Sequence, residues 1–196
     1  MVETMNNSVL RPRVLVDMLP ASALRDAALV AAYAALVGLF AQLVIRLPFT
    51  PVPITGQTFG VLLGAMALGS RRAVVGMAVY LGLGLIGLPW FAGGSGGPNV
   101  VHAASFGYLV GFLIAAAVIG RLAELRADRN PLLTLGAMVI GNAVIYACGV
   151  AWLAVAIHVD FATAIALGVT PFLLGDAIKA LLAAGLLPGA WRVIGR

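Results

Sequence analysis

Charge is scarce in this chain: of 196 residues only 10% are Asp, Glu, Lys or Arg, while 62% are hydrophobic. With a mean hydropathy of +1.08, that composition excludes an ordinary soluble domain. Cysteine is nearly absent. The single Cys148 lies inside an apolar run, which removes both a disulfide framework and any CxxC metal or redox pair. His102 and His158 are far apart and lack metal-ligand spacing. No G-x-x-x-x-G-K-[ST] phosphate loop occurs, so any ATP-driven step needs a partner. No cofactor is implied. The net charge of +5 does not read as a nucleic-acid footprint, because the basic residues lie in loops between apolar segments.

The apolar segments number about six, as many as a chain of this length can hold at roughly 20 residues each. They are Ala27–Ile45, Thr58–Gly69, Ala73–Leu88, Ala104–Gly120, Leu132–Ile157, and a last one from Thr170-Pro171 to near Pro188. In that last segment Thr170 can cap and Pro171 can take the first helical position. Residues 1–26 carry no long apolar stretch ending in a cleavage site and read as a cytoplasmic tail. Residues 27–187 form the membrane domain, and 188–196 a short basic end.

Orientation follows from the arginines. With both termini in the cytoplasm, Arg11, Arg13, Arg25, Arg71, Arg72, Arg121, Arg126, Arg129, Arg192 and Arg196 fall inside and only Arg46 outside. That is the positive-inside pattern. The fold expected is an all-α integral membrane protein of six transmembrane helices with both termini cytoplasmic, multi-pass in a bacterial cytoplasmic membrane.

Two outside loops carry no Asp, Glu, Lys or Arg: Leu47–Gln57 after its flanking Arg46, and Trp90–Ala103. The second segment next to them spans only about 18 Å as a helix, against a hydrocarbon core about 30 Å thick. Both substrate loops are therefore expected to dip into the outer half. Irregular backbone at that depth must be buried in protein or line a cavity. Pro48, Pro51 and Pro53 hold the first loop extended, and Thr50, Thr55 and Gln57 give it polar tips.

Asp176 and Lys179 are the only charges between Phe161 and Trp191. At i, i+3 they share a helix face. Either ion alone would cost several kcal/mol in a bilayer, so the pair marks a site. On the first segment Ala27, Ala31 and Ala35 repeat every four residues, a small-xxx-small face suited to close helix packing.

Four stretches in the same order resemble the BioY family: PFTPVPITGQTFGVLLGAMALG (Pro48–Gly69), GLGLIGLPWFAGGSGG (Gly82–Gly97), GYLVGF (Gly107–Phe112) and PFLLGDAIKA (Pro171–Ala180). BioY proteins are the biotin-specific S components of energy-coupling factor (ECF) transporters, and the resemblance covers about Ala27 to Leu187. It implies high-affinity biotin capture and uptake, with a transmembrane coupling protein and ATP-hydrolysing ABC ATPase subunits as partners. It also implies a substrate site from Thr50 to Gln57, from Trp90, Phe91, Gly94 and Asn99, from Tyr108, and from Asp176 and Lys179. It favours the coupling protein as the occupant of the Ala27/Ala31/Ala35 face. Self-association is left open. The chain departs from the family's Gly-Pro-Thr-Gly-Gly-Tyr run, with Ala103-Ala104-Ser105-Phe106-Gly107-Tyr108 in its place.

Two alternatives stand beside this reading. One is an S component for another vitamin. The other is a six-helix intramembrane serine protease, since Gly93-Gly94-Ser95-Gly96 matches the Gly-x-Ser-Gly of rhomboids, which needs a base in reach of Ser95. For biotin, the neutral ureido head is expected at Asp176 and Lys179, because a carboxylate there would add net charge to a low-dielectric site. The carboxylate is then expected nearer the mouth, with Asn99, the Gly93–Gly97 amides or Arg46 as candidates to meet it.

Overall fold

In a computed structural model, Val14 to Ile194 are described; residues 1–13 and 195–196, with Arg11, Arg13 and Arg196, lie outside the described residues. The elements in order are α1 (Ala23–Phe40), β1 (Val44–Ile45), β2 (Ile54–Thr55), α2 (Gln57–Leu68), α3 (Ser70–Leu85), α4 (Phe106–Glu124), α5 (Pro131–Ala156), α6 (Phe161–Gly168) and α7 (Leu173–Ile194). Among these, α1, α4, α5 and the α6–α7 segment Phe161–Ile194 are long and apolar enough to cross a bilayer. The 12 residues of α2 and 16 of α3 are shorter. Large apolar side chains such as Leu39, Val139, Val155 and Leu181 are exposed around the bundle, as expected where lipid is the solvent.

Helix starts follow side-chain chemistry. Ser22 accepts from the amide of Arg25, so α1 begins at Ala23, ahead of the expected Ala27. Asn130 accepts from the amides of Leu132 and Leu133 with Pro131 at the first position of α5. Asp160 accepts from the amide of Thr163 and starts α6, a helix absent from the expected segments. Thr170 does not cap: it opens a 3-10 turn, Thr170–Phe172, that leads into α7. Pro188 does not end the last helix, which runs on to Ile194. Its final turn is anchored by Trp191, whose indole N–H donates to the buried Asp128 and whose ring lies 4.0 Å under the Arg129 guanidinium. Burial holds the Asp128 carboxyl above the usual carboxylate range, opposed by the Trp191 hydrogen bond.

One end of the bundle gathers the basic residues. Val14 is 2% exposed and packs against Gly69 at the α2–α3 turn, so positions 14–22 are not a loose tail. Arg72 pairs with Asp17 at 3.0 Å and with Asp26 at 3.1 Å. Glu124, at the end of α4, accepts from the amide of Ser70 at 2.9 Å and so satisfies an orphan donor at the start of α3. Both described chain ends therefore meet the α2–α3 and α4–α5 turns at the same end. Arg46 sits at the opposite end.

The first loop is a short hairpin, not a plain extended connector: Val44 pairs with Thr55 and Ile45 with Ile54. The second loop, Leu88 to Ser105, includes 3-10 turns at Ala92–Gly94 and Pro98–His102. Gly107 and Gly111 of α4 receive the backbone and side chains of α5 at Cys148, Trp152 and Ile145. Gly64 of α2 receives Tyr33 of α1. These small-residue faces are consumed inside the bundle, whereas Ala27, Ala31 and Ala35 are exposed.

Candidate functional site

A cavity of about 300 Å³ opens at the Arg46 end, between α2, α4, α5 and α7 and under both loops. That is the lower end of the about 300–1,000 Å³ usual for small-molecule sites. Asp176 lies in the first turn of α7 and is 5% exposed. Lys179 Nζ donates to Asp176 Oδ1 at 2.9 Å, to the Thr55 carbonyl at 2.9 Å and to Thr58 Oγ1 at 2.8 Å. Its three N–H bonds are all used. Thr58 Oγ1 donates to Asp176 Oδ1 at 3.1 Å, and the Tyr146 hydroxyl donates to Oδ2. The pair is thus neutral overall and built into a network that ties β2 and α2 to α7 and α5. One lone pair on Oδ2 remains for a ligand donor.

Gln57 is 3% exposed and fixes the floor of the hairpin. Its amide donates to the Tyr80 hydroxyl at 2.8 Å and accepts from Thr55 Oγ1 at 3.0 Å. Tyr108 lines the cavity and donates to the Gly168 carbonyl at 2.7 Å. That carbonyl and the one of Leu167, which Thr50 Oγ1 reaches at 2.8 Å, lie at the end of α6. Hydroxyls from α4 and loop one thereby satisfy two orphan carbonyls of a helix C-terminus. Asn99 lines the cavity and is exposed at its mouth, with no intramolecular partner for its side-chain amide among the described residues.

Of the sequence-derived residues, Asp176, Lys179, Asn99, Gln57, Phe91 and Tyr108 line this cavity. Thr50, Trp90 and Gly94 do not. Thr50 anchors the hairpin tip to α6. Trp90 wedges between Gly38 of α1 and Tyr80, its indole donating to the Tyr80 carbonyl at 3.0 Å. Gly94 (φ +75°) turns the backbone so that Phe91 and Ser95 can pair. Tyr146, Thr58 and Phe172 line the cavity and were not singled out from sequence. Phe106, the bulky departure from the family run, stacks edge-on against Trp152 at 5.5 Å and is outside the lining, which Ala103 and Ser105 supply instead. The Ser95 hydroxyl donates to the Ala92 carbonyl at 3.0 Å. Among the described residues neither His102 nor His158 bonds to it, so no nucleophile–base pair is formed.

The BioY family model matches residues 8–196 of this chain. The chain belongs to the BioY family. Curated relatives include the Biotin transporter BioY of Thermotoga maritima, 41% identical over 152 residues, covering 75% of this chain and 88% of that protein. The Biotin transporter BioY of Rhizobium etli is 37% identical over 168 residues, covering 82% and 89%. Among solved structures, the S-component for biotin from an ECF-type ABC transporter superposes with a TM-score of 0.78 at 26% identity, covering 88% of this chain and 92% of that one. The chain is an all-α, multi-pass integral protein of the cytoplasmic membrane.

Proposed function

We infer that this chain captures biotin and carries it across the cytoplasmic membrane as the S component of an ECF-type transporter, and that it is not an enzyme. The observation that carries this reading is the cavity in which a BioY-family chain brings Asp176, Lys179, Tyr146, Asn99 and Phe91 together. A ureido head offers two N–H donors and one carbonyl. The open lone pair of Asp176 Oδ2 takes one N–H, and the Asn99 amide donates to the carbonyl and accepts from the second N–H, so all three ureido groups are paired. Lys179 reaches the ligand only by releasing one of its three bonds. Phe91, Tyr108 and Phe172 cover the apolar part of the bicycle.

Orientation belongs to the same proposal. The arginine-rich end faces the cytoplasm, the loops face outward, and α2 and α3 complete six crossings by meeting hairpin and loop instead of lipid on the outer side. Protein purified without added ligand should release biotin on denaturation, read by mass spectrometry. In competition, excess thiamine or riboflavin should leave bound biotin in place; displacement by either would reassign the substrate. Biotin analogues methylated on the ureido nitrogens should lose far more affinity than the methyl ester. The reverse order would place the carboxylate at Asp176.

Transport energy must come from elsewhere, and the exposed Ala27/Ala31/Ala35 face of α1 is the proposed seat of the transmembrane coupling protein, which would link the chain to ATP-hydrolysing subunits. The other small-residue faces are already filled from within, as the Gly64–Tyr33 and Gly107–Trp152 contacts illustrate. Ala31→Trp should leave biotin binding unchanged and prevent co-purification with the coupling subunit. Intact co-purification would move the interface elsewhere.

A further inference from the structure

At the arginine-rich end, opposite the ligand cavity, a groove of about 830 Å³ runs between α1 and α3. The two helices rise side by side, joined by the Arg72–Asp26 pair at this end and by Trp90 against Gly38 at the other. Gly76 of α3 admits the Tyr33 ring and the Val30 backbone of α1, which closes the floor. Ala23, Ala27 and Ala31 form one wall, and Arg71, Val75 and Val79 the other. Fourfold spacing keeps each set on one helix face, and each wall climbs about 12 Å. One leaflet of a hydrocarbon core about 30 Å thick offers about 15 Å. The charged lining residues all lie at the arginine-rich end of the groove, and apolar side chains line the rest. Those charges are paired but for one. Asp17 and Asp26 hold Arg72, Asp26 also holds Arg25, and Glu124 holds Arg121 and the Ser70 amide. Arg71 is exposed and forms no hydrogen bond or ion pair among the described residues.

We propose that this groove binds an anionic phospholipid, its phosphate on Arg71 and one acyl chain along Val75 and Val79. The guanidinium fork fits a phosphate with two parallel bonds, and basic pockets between helices at a membrane face recognise anionic headgroups. Arg71 sits in the first turn of α3, where the positive end of the helix dipole adds to its charge. A zwitterionic headgroup brings its own cation to the same place and is disfavoured. The apolar walls suit a chain that reaches through one leaflet. Ala27 and Ala31 also belong to the face proposed for the coupling protein, so a partner helix seated there displaces the lipid chain. The site stands whatever ligand the outer cavity takes.

The test is native mass spectrometry of the purified full chain, titrated with phosphatidylglycerol, phosphatidylcholine and soluble glycerol 3-phosphate. Wild type should hold phosphatidylglycerol at least about fivefold more tightly than phosphatidylcholine, and glycerol 3-phosphate far more weakly than either lipid. Arg71→Gln should bring phosphatidylglycerol down to the level of phosphatidylcholine, and Arg71→Lys should keep most of the preference. Val75→Trp, which fills the trough from an exposed position, should weaken both lipids alike. An unchanged unfolding temperature certifies each variant as folded. A wild type without preference, or a preference that survives Arg71→Gln, overturns the proposal. So does glycerol 3-phosphate bound as tightly as the lipid, which would leave the apolar walls without a role. If wild type shows no preference and Arg71→Gln instead loses the coupling subunit on co-purification, the groove belongs to that partner and the lipid site is overturned.

Discussion

Asp176→Asn is expected to abolish high-affinity biotin binding while the protein still purifies as a folded species. The substitution leaves the Lys179 ammonium in a site where its counter-ion is gone, and it turns an acceptor toward which Thr58 and Tyr146 both donate into a half-donor. Losing the charge-assisted hydrogen bond to the ligand costs about 1.5–3 kcal/mol, roughly one to two orders of magnitude in Kd, and the stranded ammonium lowers the stability of the fold as well. Lys179→Met should be similarly severe. The double variant should fall short of the sum of the two, because it removes the stranded charge along with the pair. Calorimetric titration of all four proteins gives the cycle. Binding by Asp176→Asn within a factor of about three of wild type would show that the carboxylate serves architecture and not the ligand.

Gly84→Leu is the second large effect, from a residue that does not touch the cavity. The Phe91 ring lies flat against Gly84, and the amide of Gly97 donates to the Gly84 carbonyl at 2.7 Å. A side chain at this position takes the space of a ring that is 2% exposed and lines the site. Either the ring swings into the cavity or loop two lifts from α3. Overpacking of this kind costs about 1–3 kcal/mol, and biotin affinity should fall by about fivefold to a hundredfold. Gly82, on the same helix with nothing within 4 Å of an added Cβ, is the control: Gly82→Leu should bind as wild type. Equal binding by the Gly84 and Gly82 variants would mean that loop two is not seated by α3.

The site was legible in the sequence where burial makes a residue type expensive. Asp176 and Lys179 stand out because charge is rare in an apolar segment, and Gln57 and Asn99 because they are polar tips in loops too apolar for water. Tyr146 was not, since a tyrosine in a long apolar helix reads as packing; its polar neighbour one turn earlier, Asn142, was the available signal. Thr58 looked like the first residue of a helix. Trp90 and Thr50 were placed on the right loops, but which face of an irregular loop meets the cavity is decided by contacts with Gly38 and Leu167, on helices remote in sequence. The same holds for the fold. Helix α5 was readable from Asn130-Pro131, whereas α6 depended on reading Asp160 as a cap. The helical run past Pro188 depended on Trp191 finding Asp128.

The neutrality of the Asp176–Lys179 pair has an electrical consequence. Moving one elementary charge through the whole membrane field takes about 2.3 kcal/mol per 100 mV. Opposite charges held one turn apart on α7 travel together as a small dipole, so a tilt or displacement of that helix does almost no work against the potential. The carboxylate of a bound ligand enjoys no such cancellation. In the proposed orientation, with the cell interior negative, capture at the outer mouth is nearly voltage-independent, and the electrical work falls on the later inward step.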